Sequence, residues 1–298
     1  MLSRSTHAHI LSILSSSLLP FYFAHIGFSP FRPRIPSFSI YVSDHNPSHT
    51  QHAFRLSMNT LLLIDCQNDF LPPNGSLAVS EGDLIIPHVL RLLSLPFDLV
   101  DFHPANHVSF ASAHPSSKAF ESIRISHPVT RLEKDQELWP DHCVQGTSGV
   151  QFEARVAKEL QSWIEKGKGK VVKKGQDVDL DAYSAFAKPL ELLRREEEER
   201  TEVELESPLT HILKQANTKR IFVAGLATDF CVKASVLSAL EESAKLPEAQ
   251  QWEVYVVREA VRGVYAEREE ETLKELEERG AHIVSIDGAE LESLQRMI

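Results

Sequence analysis

From residue 60 almost to the carboxyl terminus, short unbroken apolar runs alternate with segments in which apolar residues recur every three to four positions. The run Thr60–Ile64 is apolar from Leu61 onward and ends in Asp65, the pattern of a central parallel strand buried on both faces. Further strands are expected over Phe97–Phe102, Lys170–Lys174, Arg220–Leu226, Glu253–Val257 and His282–Ile286. Gly149–Lys166 reads as a helix, because Phe152, Val156, Leu160 and Ile164 fall on one face. Asp83–Leu93 and Pro208–Ala216 read the same way, as does Tyr265–Arg279, closed by Gly280. Another helix starts after Arg220–Leu226, with Thr228 as its expected N-cap. Strand and helix alternate throughout. That predicts an α/β fold of three layers, a mostly parallel Rossmann-like sheet between helices. Ala187–Pro208, which contains RREEEERTEVELE, is expected to be a solvated helical insertion without chemistry.

Charge divides the chain. The whole carries a formal −11, but residues 1–57 hold four arginines against the single Asp44 and sum to +3, leaving −14 on residues 58–298. Such a basic, Ser- and Pro-rich start reads as a disordered, dispensable extension, either a targeting segment or upstream of a true start at Met58. The Ile10–Phe23 run is too short and polar for a membrane span. An acidic body lacks the clustered Lys and Arg that nucleic acid requires, and the folded domain carries no membrane signal. The three cysteines, Cys66, Cys143 and Cys231, are too few for a disulfide framework and point to a reducing compartment. A cytoplasmic location is expected, with the nucleus and peroxisome open, although the terminal QRMI is not a peroxisomal tripeptide.

Candidate chemistry collects at strand ends, where open α/β sheets bind ligands. Asp65 ends the first strand. Lys174 ends Lys170–Lys174 and can point into a site to hold a thiolate or carboxylate. Cys231 lies in the first turn of the helix after Arg220–Leu226, where free N–H groups and the helix dipole favour a thiolate. Asp101 and His103, two apart on an extended segment, point to one side as metal ligands would, and His142 in LWPDHCVQGTSG offers a third. His107, His114 and His127 compete for that place on spacing alone. Trp139 offers an aromatic wall.

In this order, LLLIDCQNDF, VDFHP, LWPDHCVQGT, VVKKG and VAGLATDFCVKAS resemble the motifs of the isochorismatase-like cysteine hydrolases, and among them the nicotinamidases. The resemblance spans about residues 60–287. It implies a triad of Asp65, Lys174 and Cys231, and a divalent metal on Asp101, His103 and His142. That metal is expected to be zinc, with iron and manganese compatible. It also implies a cis peptide at Leu226-Ala227, an oxyanion hole from the N–H groups of Ala227 and Cys231, and ring walls from Phe70 and Trp139. Asp181 would bond metal-bound water, although some relatives have glutamate there. The implied reaction is hydrolysis of nicotinamide to nicotinate and ammonia through a cysteine thioester, in NAD salvage, with no organic cofactor. The alternative within this chemistry is another small amide: pyrazinamide-like, ureido or carbamoyl. Outside it stand a metal-hydroxide hydrolase with a structural Cys231, and a binding protein on an inactive hydrolase fold. A homo-oligomer stays open.

Overall fold

A computed structural model describes residues 59–93, 96–194 and 206–295. The expectations for residues 1–57, for Met58 and for most of the charged run after Arg194 lie outside the described residues. Among those described, the strands are β1 (Asn59–Ile64), β2 (Pro96–Asp101), β3 (Ser122–Ser126), β4 (Glu133–Glu137), β5 (Val171–Lys174), β6 (Arg220–Leu226), β7 (Glu253–Arg262) and β8 (His282–Val284). All but β3 and β4 form one sheet in the order β5-β2-β1-β6-β7-β8, and every pairing in it is parallel.

The alternation of β1 builds two cores. Leu61 and Leu63 pack on one face with Ile86, Val89 and Val156, while Leu62 and Ile64 pack on the other with Leu209, Leu213, Val236 and Leu273. Helices Ile86–Leu92 and Ala154–Glu165 therefore cover one side, and Pro208–Gln215, Lys233–Ala244 and Glu269–Glu278 the other. This is the expected three-layer α/β/α arrangement. Each fully buried Leu or Ile of β1 contributes about 1.5–3 kcal/mol.

Several boundaries differ from the sequence reading for local reasons. The helix expected from Gly149 begins at Ala154, because the Glu153 carboxylate caps it by accepting from the N–H groups of Arg155 and Val156. The Asp83–Leu93 helix opens as a 3-10 turn, Gly82–Ile85, before becoming α-helical at Ile86. Strand β7 continues past Val257 to Arg262 after a register shift between Val223 and Gly225. Gly225 has φ +124°, and a Cβ there would stand 2.0 Å from the Ile64 carbonyl oxygen, so only glycine lets β6 pass this close to β1. Thr228 is not the N-cap. It is the first residue of a π-helical turn, Thr228–Val232, whose cap position is Ala227.

Successive strands run outward from β1 through β2 to β5, and the chain then returns to the other side of β1 as β6. The crevice beyond the carboxyl ends of β1 and β6 is the point where the winding reverses, the usual ligand position in such sheets. Asp65 follows β1 and Cys231 follows β6.

Candidate active site

Three strand ends bring Asp65, Lys174 and Cys231 together. Asp65 leaves β1 in the left-handed region, φ 51°, a conformation that aspartate tolerates better than most side chains. Lys174 Nζ lies 2.9 Å from Asp65 Oδ2 and donates to Cys231 Sγ at 3.3 Å, and it also pairs with Asp101 Oδ1. The Lys174 ammonium and the Cys231 thiol are the polar side chains that face the fully buried Asp65 carboxylate.

Burial and the neighbouring Asp101 charge push the Asp65 carboxyl up to about 7, against the pull of Lys174. Burial also raises the Cys231 thiol well above its ordinary range, more than Lys174 lowers it. The resting sulfur is thus a thiol, and the thiolate expected from helix position alone is overturned by desolvation. A buried thiol beside a carboxylate that titrates near neutrality is an acid–base pair. Although burial opposes its charge, Lys174 stays protonated between Asp101 and Asp65. Asp101 stays ionised, because the Lys174 ammonium outweighs its burial.

Asp101, His103 and His142 form a second cluster beside the first. Their candidate ligand atoms all lie within 4.8 Å of one another. His103 Nδ1 is 2.8 Å from the Gly175 carbonyl and His142 Nδ1 is 2.8 Å from the Pro140 carbonyl, which places both N–H groups on Nδ1 and leaves both Nε2 lone pairs facing Asp101. The Nε2 atoms stand 3.6 and 4.0 Å from the Asp101 carboxylate, too far for good hydrogen bonds and near the spacing of ligands that share one ion. The residues therefore fit a divalent metal. Gly175 has φ +65°, and a Cβ there would lie 2.3 Å from His103 Cε1, so its carbonyl reaches the ring only because the residue is glycine.

A cavity opens between the two clusters. Asp101, His103, His142, Cys231 and Ala227 line it together with the rings of Phe70, Trp139, Tyr183 and Phe230. Trp139 packs edge-on to Phe230 at 4.8 Å and donates from Nε1 to the Tyr183 hydroxyl at 2.9 Å. Phe70 lies edge-on to the His142 ring at 5.4 Å.

These features agree with the comparisons. Residues 179–288 match the Isochorismatase domain. The Escherichia coli nicotinamidase is 34% identical over 214 residues, 68% of this chain and 83% of that protein. The chain belongs to the nicotinamidase family. Among solved structures, the yeast nicotinamidase bound to the inhibitor nicotinaldehyde has TM-score 0.62 at 25% identity, covering 76% of this chain and 100% of that one. The Pyrococcus horikoshii pyrazinamidase in complex with zinc has TM-score 0.54 at 29% identity, covering 77% and 99%.

In this member of the nicotinamidase family, the residues named from sequence fall in one place: Asp65, Lys174 and Cys231, the Asp101–His103–His142 cluster, and Phe70, Trp139, Ala227 and Asp181 around the same cavity. The Leu226-Ala227 peptide is cis. In the turn that follows, Phe230 N–H and Val232 N–H both bond the Ala227 carbonyl. The Asp181 carboxylate accepts from Gln136 Nε2 at 2.7 Å and from the Ala182 N–H. Of the competing histidines, His107 stays within reach of the site, since with His103 and Asp181 it forms a second group whose candidate ligand atoms lie within 4.8 Å of one another, whereas His114 and His127 join no such group among the described residues. His107 stacks on His103 at 4.1 Å with Nδ1 on the Ser109 hydroxyl, His114 Nε2 bonds the Val108 carbonyl, and His127 Nδ1 accepts from Val129 and Thr130 in a turn. Tyr183, Phe230 and Gln67 escaped the sequence reading. Phe230 was detectable as the aromatic neighbour of Cys231, whereas Tyr183 and Gln67 carry no pattern that marks them.

Proposed function

We propose that the chain hydrolyses nicotinamide to nicotinate and ammonia with Cys231 as nucleophile, a reaction of NAD salvage. The supporting observation is the position of the Lys174 ammonium, 2.9 Å from Asp65, 3.3 Å from Cys231 Sγ and paired with Asp101, which joins the thiol–acid pair to the candidate metal ligands across one aromatic cavity. Ionised Asp65 accepts the Sγ proton, and Lys174 stabilises the thiolate as it forms. The sulfur attacks the carboxamide carbon, and the N–H groups of Ala227 and Cys231 hold the resulting oxyanion. Asp65 returns the proton to the departing ammonia as the thioester forms. It then deprotonates the water that attacks the thioester, and nicotinate leaves as Cys231 regains its proton. Phe70 and Trp139 sandwich the ring, and Asp181 orients water beside His103.

Asp101, His103 and His142 would hold a divalent cation, zinc by analogy with the Pyrococcus horikoshii relative, which supplies a Lewis acid for the pyridine nitrogen. Chelation is expected to abolish most ammonia release, and added Zn²⁺, Fe²⁺ or Mn²⁺ to restore it, with the three ions compared side by side. Ammonia release from nicotinamide, pyrazinamide and a ureido acid tests the substrate. A preference for the ureido acid would overturn the reading.

The pH profile follows from Asp65. It must be ionised to accept a proton, and its carboxyl lies at about 7 partly because of the Asp101 charge. A cation on Asp101 weakens that repulsion and lowers the value. The acid limb of kcat/KM should therefore rise through about pH 7 or somewhat below in the metal-loaded enzyme, and an ascending limb above pH 8 would exclude Asp65 as the base.

A further inference from the structure

The turn between β1 and the loop Leu71–Val79 makes contacts that the proposed reaction does not use. Gln67 is completely buried, yet it is neither in the triad nor among the candidate ligands. Its amide bonds both backbone groups flanking the Asp101 side chain: Nε2 donates to the Asp101 carbonyl at 2.7 Å, and Oε1 accepts from the Asp101 N–H at 2.9 Å. The second Nε2 hydrogen goes to the Val150 carbonyl at 2.8 Å. The amide cannot be flipped, because its oxygen would then face two carbonyls. The β1–β2 register ends at Ile64↔Leu99, so Gln67 continues the ladder with a side chain where the backbones part.

Two residues on, the Asp69 carboxylate accepts from the Cys143 N–H at 2.7 Å, the peptide that follows His142. Cys143 has φ 47°, so the chain turns sharply at this point. The Cys143 carbonyl in turn accepts from the His103 N–H at 3.0 Å, and the Asp69 N–H donates to Gly149 at 3.1 Å. One short turn thus grips both backbone arms that carry Asp101, His103 and His142, and its first residue is Asp65.

We propose that this turn is a brace that sets the separation of the two ligand-bearing arms. Gln67 and Asp69 are positioning residues for metal affinity, Gln67 through Asp101 and Asp69 through the His142–Cys143 step. The proposal rests on the metal reading above and goes beyond it, because neither residue contacts substrate or cation. A side chain that donates twice and accepts once inside the protein is costly to leave half-satisfied, which explains an amide at position 67 in place of an apolar residue.

The test is Zn²⁺ affinity of the full-length chain, measured by competition with a chromophoric chelator, for wild type, Gln67→Met, Asp69→Ala and Asp69→Asn. Alkylation of Cys231 by iodoacetamide and circular dichroism are measured beside it. Gln67→Met and Asp69→Ala should each weaken Zn²⁺ binding by about tenfold to a hundredfold, the range found for outer residues that orient metal ligands. Asp69→Asn keeps an acceptor and should recover most of that loss, with the alkylation rate within about twofold of wild type throughout. Folded variants that bind Zn²⁺ as tightly as wild type overturn the brace and leave the metal reading standing. A wild type that takes up no Zn²⁺ overturns both. If Gln67→Met does not fold, the difference between Asp69→Ala and Asp69→Asn decides, and equal affinities there overturn the proposal.

Discussion

Cys231→Ala should lower ammonia release from nicotinamide by about 10⁶-fold, the loss seen when the nucleophile of a serine hydrolase triad is removed. The fold should survive. The side chain is small and buried on the Val232 and Val236 side of the sheet, and its loss removes its hydrogen bonds with Lys174 and Asp65. Lys174 keeps Asp65 and Asp101 as partners, so no buried charge is stranded. Zn²⁺ affinity should also hold, because Cys231 is not part of the Asp101–His103–His142 group. That combination separates the cysteine mechanism from a metal-hydroxide mechanism at the same site. A folded, metal-loaded Cys231→Ala protein that retains more than about a hundredth of wild-type turnover would assign the attack to water and leave Cys231 structural. Single-turnover measurements sharpen the result, since wild type should form a thioester that hydroxylamine traps and the variant should form none.

The residues readable from sequence are those with a strong local reason to be where they are. Asp65 stands at the end of a run so apolar that a charged residue there marks the sheet's rim, Lys174 closes the short KVVKK strand, and the Asp101–His103 pair is two apart on an extended segment. What was not readable depends on partners far along the chain. The β3–β4 hairpin lies within a stretch that reads as loop, since SIRIS and EKDQE are polar and alternate between exposed and half-buried positions. Thr228 is a good cap by type, but its hydroxyl points to Glu269, and the turn winds as a π-helix that Ala227 begins. The protonation of Cys231 is the clearest case. Position in a helical first turn favours the thiolate by a modest electrostatic contribution, whereas burial against the core that holds Ile64 and Val232 disfavours it by a larger one, and only the packed structure shows the second.

Lys174→Met should damage stability as well as turnover. The ammonium is the common cation of Asp65 and Asp101, both buried, and breaking a buried pair by removing one partner typically costs about 3–5 kcal/mol. Metal-stripped protein shows this best, because a bound cation would take over part of the neutralisation of Asp101. The pH dependence identifies the cause. In wild type the depressed Asp101 pKa contributes stability above the usual carboxylate value of 3.8, and that contribution fades as pH falls through the folded value. Without the lysine both carboxyls are raised in the folded state by burial and by each other. The folded variant then binds more protons than the unfolded chain above about pH 4, and its stability drops as pH rises. The gap between variant and wild type should therefore be widest near pH 8 and narrow toward pH 5, measured by urea unfolding at both values. Turnover should fall for a linked reason. Asp65, already at about 7 with Lys174 beside it, moves higher without it and is protonated at neutral pH, so it cannot accept the Cys231 proton. Equal stability loss at both pH values, or a loss that grows on acidification, would show that the Lys174→Met variant fails through packing and that the ammonium is not the centre on which the two carboxylates depend.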